Sequence, residues 1–355
     1  IWPLLQAWNV PALWAPVGSW VDTPANQKVN FGGLMTPRDR FATWDMVREL
    51  SQSPLVEIGS HTWASHYGIP ANPQGSREPA IANRFFDNAT GHYETDEHFN
   101  QRIAADVRKV TDKITQVTGK APRAWVWPYG AANGTSLAIA QKQGYQLAFT
   151  LEDGLGNVRD LGNIPRLLIA GNPSIKTFAN TVSRVQEFDP VRVMHVDLDY
   201  VYDPDPAQQT KNINKLVQRV YDMKISHVFL QAFSDPRGDG RIDALYFPNR
   251  RLPVRADLFN FVAWQLQTRA GVKVFAWMPV LSFDLSPALP RVQRRDRQTG
   301  ELTVAAEPYI RLSPRSPQVR QQVTEIYEDL ARYASFNGIL FHDDAVLTED
   351  RKSVV

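Results

Sequence analysis

Val56-Glu-Ile-Gly-Ser-His61-Thr-Trp-Ala-Ser-His66-Tyr67 opens as a short β-branched run, breaks at a glycine, and continues into a turn bearing two histidines five residues apart. A strand that ends in such a turn can aim both imidazoles at one point. Imidazole suits zinc, nickel, cobalt and iron, and catalytic centres of that kind take two or three protein nitrogens with a carboxylate, leaving one position open. His61 and His66 are therefore candidate ligands of a divalent metal ion. Spacing of this kind also arises by chance, and the competing reading is two surface histidines.

Outward from this turn, extended apolar runs at 12–17, 55–58, 124–127, 147–151 and 166–170 alternate with helical patterns, the rhythm of parallel βα units. The clearest helix covers 96–118, where Ile103, Val107, Val110, Ile114 and Val117 fall on one stripe and Gly119 stands ready to end it. The polar stretch 70–96, rich in Asn, Pro and Gly, is too long for an ordinary connection, so it reads as a lid or groove wall, with disorder the alternative. A helix at 174–186 ends in Glu187-Phe-Asp-Pro190, after which the pattern begins afresh, and the domain boundary is expected near residue 188.

The second half gives strands at 191–202, 227–233, 272–281 and 338–342 with helices at 206–223, 256–269 and 317–334 between them. Four strands and three helices make half of a (β/α)8 barrel; a complete one takes ~250 residues, so the other half is expected beyond Val355. His195, Asp197 and Asp199 alternate with apolar residues, which puts all three on one face of a strand. Burying several carboxylates without a use costs several kcal/mol, roughly, and the C-terminal ends of barrel strands line active sites. His195, Asp197, Asp199, Tyr202, Trp277 and His342 are candidate substrate-binding residues. Asp343 and Asp344, adjacent at a strand terminus, resemble the acid and base of glycoside hydrolysis, with the choice between them open. Asp235-Pro-Arg-Gly-Asp-Gly240 lacks the later ligands of a calcium loop and reads as a turn.

At 355 residues the chain exceeds the size at which one core keeps growing, so two domains are expected. Its hydrophobic fraction of 43% and charged fraction of 21% suit a globular protein, and no apolar run approaches the ~20 residues needed to span a bilayer. A formal charge of +2, with Lys and Arg interspersed among acids, gives no electrostatic reason to expect nucleic acid. The absence of cysteine excludes disulfides and thiolate chemistry. Ten tryptophans, 11 tyrosines and 25 prolines suit a sugar-binding groove, which needs flat aromatic faces on rigid loops.

Together with Val126-Trp127-Pro128-Tyr129-Gly130, the histidine turn resembles the NodB-type polysaccharide deacetylase family, and the likeness extends over nearly the whole chain. The resemblance implies an α/β fold, an incomplete NodB-type (β/α) barrel over 1–188 followed by the first half of a glycoside hydrolase-like (β/α)8 barrel over 189–355. It implies a divalent metal (zinc, nickel, cobalt or iron) held by His61, His66 and an aspartate, with a second aspartate as base. It also implies substrate contacts from Trp127, Pro128 and Tyr129. In the family the Asp pair precedes the Pro-Leu-Leu-Gln found here at Pro3, so both would lie upstream of Ile1 and the chain as it stands is expected to be inactive. Val126 occupies the place of a family Arg that orients the base, and the run from Arg166 to Pro173 lacks the usual Leu-x-His acid. The implied substrate is poly-N-acetylglucosamine, deacetylated in the periplasm during biofilm export, then bound and cut by the second half. An outer-membrane export porin would be the partner and an upstream segment the anchor. The rival reading is a non-catalytic carbohydrate-binding scaffold that only guides polymer. A chitin or peptidoglycan deacetylase is a third, for which the second barrel has no evident use.

Overall fold

Short strands separated by amphipathic helices give parallel sheets, because each strand needs a crossover before the next can run the same way. The computed structural model describes residues 2–183, 190–295, 298–305 and 309–345. The chain divides into two compact units, Ile1–Phe188 and Asp189–Val355.

In the first unit β1 (Ala12–Trp14) pairs in parallel with β2 (Val56–Ile58), and β3 (Ala124–Val126) with β4 (Leu147–Phe149). A parallel bridge between Ser60 and Trp125 joins the two pairs, so the strands lie side by side in sequence order. Ser60 N donates to Ala124 O at 2.9 Å and Ser60 O accepts from Val126 N at 2.8 Å, which fixes where the chain leaves β2 for the histidine turn. The strand expected at 166–170 does not form. The parallel bridge to Phe149 falls on Ile164 instead, and beyond it a single backbone bond, from Arg166 N to Glu152 O at 3.1 Å, runs back toward the segment after β4.

The long helix forms over Asp96–Thr118 (α1): Thr95 accepts from His98 N as the N-cap, and Gly119 at φ +74° closes the C-terminus in the left-handed conformation. Its apolar stripe is buried along its length. Ile103 and Val107 pack with Trp125 and Trp127, while Val110, Ile114 and Val117 pack with Val21, Val47 and Ile58. Each such side chain contributes about 1.5–3 kcal/mol by leaving water. The 70–96 stretch is folded: antiparallel hairpins pair Gly68–Pro70 with Arg77–Pro79 and Phe86–Asp87 with His92–Tyr93, and Ala80 and Ile81 are fully buried. The helix expected at 174–186 is described over Ile175–Ser183 (α2); its end and most of the break at 187–190 lie outside the described residues.

In the second unit β5 (Val193–Val196), β6 (His227–Gln231), β7 (Lys273–Met278) and β8 (Gly338–Phe341) form one parallel sheet in sequence order. Helices α3 (Pro206–Asp222), α4 (Phe259–Gln265, continued by a π turn to Ala270) and α5 (Pro317–Tyr333) connect them. Val228, Leu230, Val274, Ala276 and Met278 alternate along the central strands into a core shared with Val217, Val220, Phe259, Ile326 and Leu330 of the helices. The opposite alternation, His195, Phe229, Trp277, is the other face of the sheet. No helix among the described residues is long and apolar enough to cross a membrane.

Candidate functional site

The two histidines converge. Their ring centroids lie 4.9 Å apart, and His66 is enclosed by Trp20 at 4.9 Å and Tyr129 at 4.3 Å. The Nδ1 of His61 lies 2.7 Å from the carbonyl oxygen of Val126. Donation from Nδ1–H to that acceptor fixes the tautomer in which Nε2 keeps its lone pair, the usual orienting contact of a metal-binding histidine. The Nδ1 of His66 is buried with no hydrogen-bond partner. A buried imidazole nitrogen without a partner is costly unless something uses it. Burial lowers the pKa of both rings, that of His61 to about 4, so both are neutral donors near neutral pH. These two residues fit a divalent cation as two of its ligands; among the described residues no cluster of three or more metal-ligating side chains occurs.

A carboxylate from the long helix, which the sequence did not disclose, sets the turn. Asp106 accepts from Trp63 N and Ala64 N at 2.8 Å each and from the Ser65 hydroxyl at 2.9 Å. All three donors lie between the two histidines. Burial raises the Asp106 pKa, and those donors oppose the rise. Thr62, buried within the turn, has φ +71°, and Tyr129, which faces His66, has φ +56°. Both are left-handed at non-glycine residues, a conformation that persists only where surroundings impose it. The resulting cavity, about 560 Å³, is lined by Leu13, Phe149 and Leu151 beside the histidines, with the guanidinium of Arg166 at its edge, tethered by Nε to Thr150 O at 2.8 Å.

The Trp-Pro-Tyr-Gly run is only partly at the surface. Trp127 and Pro128 are buried, Trp127 completely, edge-on to Trp125 with centroids 5.8 Å apart. Trp127 backs the histidine cavity from within and Pro128 is core, so neither is open to solvent as the expected substrate contact would have it. Tyr129, 48% exposed, keeps that option.

At the C-terminal ends of the second sheet, His195, Trp277 and His342 stack: His195 to Trp277 at 5.0 Å and Trp277 to His342 at 5.4 Å. Asp197 lies beside His195, half-buried, its pKa raised by burial and by the charge of Asp199. Three of the expected site residues have structural duties instead. β5 stops at Val196, and a 3-10 turn over Leu198–Tyr200 carries Asp199 into the protein. There its carboxylate accepts from Gln231, Ser234, the Asp235 amide, Tyr246 and Arg255. So many donors leave it no free lone pair for substrate. Tyr202 packs under Arg255, whose guanidinium sits 5.0 Å from its ring. Asp344 is fully buried and accepts from the backbone N–H groups of Val280, Leu281 and Ser282. Asp343, whose side chain is 75% exposed, has its Oδ1 3.0 Å from His342 Nδ1 and accepts from the Tyr309 hydroxyl at 2.9 Å. Tyr309 carried no sequence signal, since it stands in an irregular segment. The 235–240 run is a turn: Asp235 accepts from Asp239 N and Gly240 N.

Residues 1–148 match the polysaccharide deacetylase family and residues 195–354 match the family described as hypothetical glycosyl hydrolase family 13. The chain is 52% identical over 349 residues to the poly-β-1,6-N-acetyl-D-glucosamine N-deacetylase of Escherichia coli K12, covering 98% of this chain and 52% of that protein. A second such enzyme from Escherichia coli O157:H7 is equally similar, so the chain spans about half the length of the curated relatives it matches. Among solved structures, a de-N-acetylase from Aggregatibacter actinomycetemcomitans is 39% identical, with 51% of this chain and 68% of that one covered and a TM-score of 0.47. A glycoside hydrolase domain from Bordetella bronchiseptica is 54% identical, with 45% and 46% covered and a TM-score of 0.41.

Replacing Asp106 with Ala removes the acceptor for three donors and is expected to destabilise the protein by about 2 kcal/mol. Metal affinity, read by calorimetry, should fall about 10-fold or more, because the support of the ligand loop goes with it. In the metal-free protein the His61 ring resonances should titrate near pH 4 instead of the ordinary 6.5. The folded state then binds fewer protons than the unfolded one between those values. The contribution of this group to stability is therefore present above pH 6.5 and lost as pH falls towards 4, which thermal unfolding across that range will detect.

Proposed function

We propose metal-dependent N-deacetylation of poly-β-1,6-N-acetyl-D-glucosamine for this chain, whose first 148 residues match the polysaccharide deacetylase family, with the second unit holding and cutting the deacetylated product. The observation that supports it best is the convergence of His61 and His66 at the wall of one cavity, with the buried Nδ1 of His66 left without a hydrogen-bond partner. Polysaccharide deacetylases are generally metal-dependent, and the two imidazoles here would be part of the donor set. A bound divalent cation supplies Lewis acidity, polarising the amide carbonyl and offsetting the negative charge that develops on its oxygen.

This chain's own residues hold and exclude. His61 is oriented by the Val126 carbonyl, and burial keeps both rings unprotonated. Leu13, Phe149 and Leu151 make an apolar wall suited to the acetyl methyl group and poor for stray water. Tyr129, its phenol held protonated by burial, covers one face of His66 and presents an exposed ring to an incoming sugar. In the overall step water adds to the amide carbon, the C–N bond breaks, and a proton passes to the departing amine, giving acetate and a free glucosamine amine.

Each amine set free becomes cationic, which suits the carboxylates Asp197 and Asp343 flanking the His195, Trp277 and His342 stack. Asp343 is proposed as the acid of glycosidic cleavage, since it is accessible and Asp344 is committed to backbone amides. Tyr309, its pKa pushed up to about 12 by burial and by Asp343, remains a hydrogen-bond donor to that carboxylate throughout the working pH range. Work on a polymer under export would place the protein in the periplasm beside an outer-membrane porin.

His61→Ala and His66→Ala should each abolish acetate release and lower metal affinity about 100-fold or more; unchanged release in both would remove the site from the reaction. Asp343→Asn should stop cleavage of partly deacetylated polymer while leaving acetate release and the melting temperature unchanged. Asp344→Asn should instead lower stability by about 1–3 kcal/mol, since its buried donors lose their anionic acceptor. Persistent cutting by Asp343→Asn refutes the assignment.

A further inference from the structure

The folded segment that follows the histidine turn has no part in the chemistry above, yet it is firmly held. Arg102 of α1 donates to Ala80 O and Asn83 O and pairs with Glu94 at 2.8 Å, and Arg84 pairs with Asp96 at 2.7 Å. A stretch pinned in this way presents its surface without further ordering, which is what makes a binding wall effective. What it presents is Phe85, 41% exposed, beside Tyr67, 45% exposed, the residue directly after His66.

Three concavities follow one another along this side of the unit and share walls. The first holds His61, His66 and Tyr129. The second, about 460 Å³, is again bounded by His66 and Tyr129 and adds Tyr67 and Arg77. The third, about 420 Å³, is again bounded by Tyr67 and adds Phe85, His92 and His98. Each contains an exposed aromatic ring together with hydrogen-bonding groups, the combination that takes the C–H face of a pyranose and its hydroxyls. The charged groups of the third concavity already have partners: Arg102 is paired with Glu94, and Asp87 accepts from Ala89 N and the Thr90 hydroxyl. The occupant that fits is therefore an uncharged saccharide, not an anion or a cation.

We propose that the concavity bounded by Tyr67, Phe85 and His98 is a remote sugar subsite, on a track that starts at the histidine pair and binds N-acetylated residues of the same polymer strand away from the reacting one. This rests on the deacetylase reading above. The site serves long polymer and is out of reach of a short oligomer seated at the histidines. Specificity for chain length is thus built into the segment after the turn.

The test is calorimetric titration of the chain with a disaccharide and a hexasaccharide of β-1,6-linked N-acetylglucosamine. Phe85→Ala should weaken the hexasaccharide about 5-fold, the worth of one aromatic face, and leave the disaccharide unchanged. His98→Ala, at a solvent-exposed position whose backbone contacts are retained, should act in the same direction and guards against a folding effect of the first variant. Hexasaccharide affinity unaltered in both variants, or equal weakening for both ligands, overturns the subsite while leaving the deacetylase reading in place. Failure of the unsubstituted chain to bind either sugar overturns both.

Discussion

Asp106 reaches from the middle of a 23-residue helix to three donors in a turn more than 40 residues earlier in the chain, and the positions of both imidazoles follow from that reach. On one side of the turn, Ser60 is locked to β3 by two backbone hydrogen bonds, so His61 emerges beside the carbonyl that orients it. On the other, the carboxylate gathers residues 63–65 and delivers His66 against Trp20 and Tyr129. The helix can bear this load because the stripe adjoining Asp106 is fastened by buried Ile103, Val107 and Val110. Sheet, helix and turn are thus one mechanical unit, and local propensity at the histidines decides little.

What could be read in the sequence was whatever depends on neighbours along the chain. The 3.6-residue stripe and the Gly119 terminator gave the long helix to the residue, and the order of strands in both halves followed from the alternation of apolar runs. The histidine turn was legible because its two imidazoles and the strand that launches them are contiguous. Asp106 was not, since an acid at the margin of an apolar stripe looks the same whether it faces water or a distant turn. The same blindness acted in reverse at Asp199 and Asp344. Carboxylates at strand ends signal chemistry in a sequence, but only the fold reveals that one gathers five donors and the other caps three backbone amides. The burial of Trp127 was hidden for a related reason, because a motif residue directly after an inner strand can turn its ring to the core.

The second unit sets two adjacent carboxylates in opposite surroundings, one buried on backbone amides and one open to solvent. Asp344 satisfies the amides of Val280, Leu281 and Ser282, which holds the exit of β7 in register with the exit of β8. With the backbone so fixed, His342 stacks flat on Trp277 and Asp343 is carried out toward solvent beside Tyr309. Removing the buried partner would therefore disturb the exposed one, although the two carboxylates have no direct bond.

Thr62 and Tyr129 both hold left-handed backbone next to the histidines, at residue types that gain nothing from it. Each such residue costs on the order of 1 kcal/mol. Directed evolution for heat tolerance, run without a functional screen, would accordingly drift toward Gly or Asn at these two positions. Sturdier protein obtained by that route would forfeit the Tyr129 ring that lines the cavity and the Thr62 hydroxyl that accepts from Ser65 N, so thermal robustness and the shape of this corner are opposed.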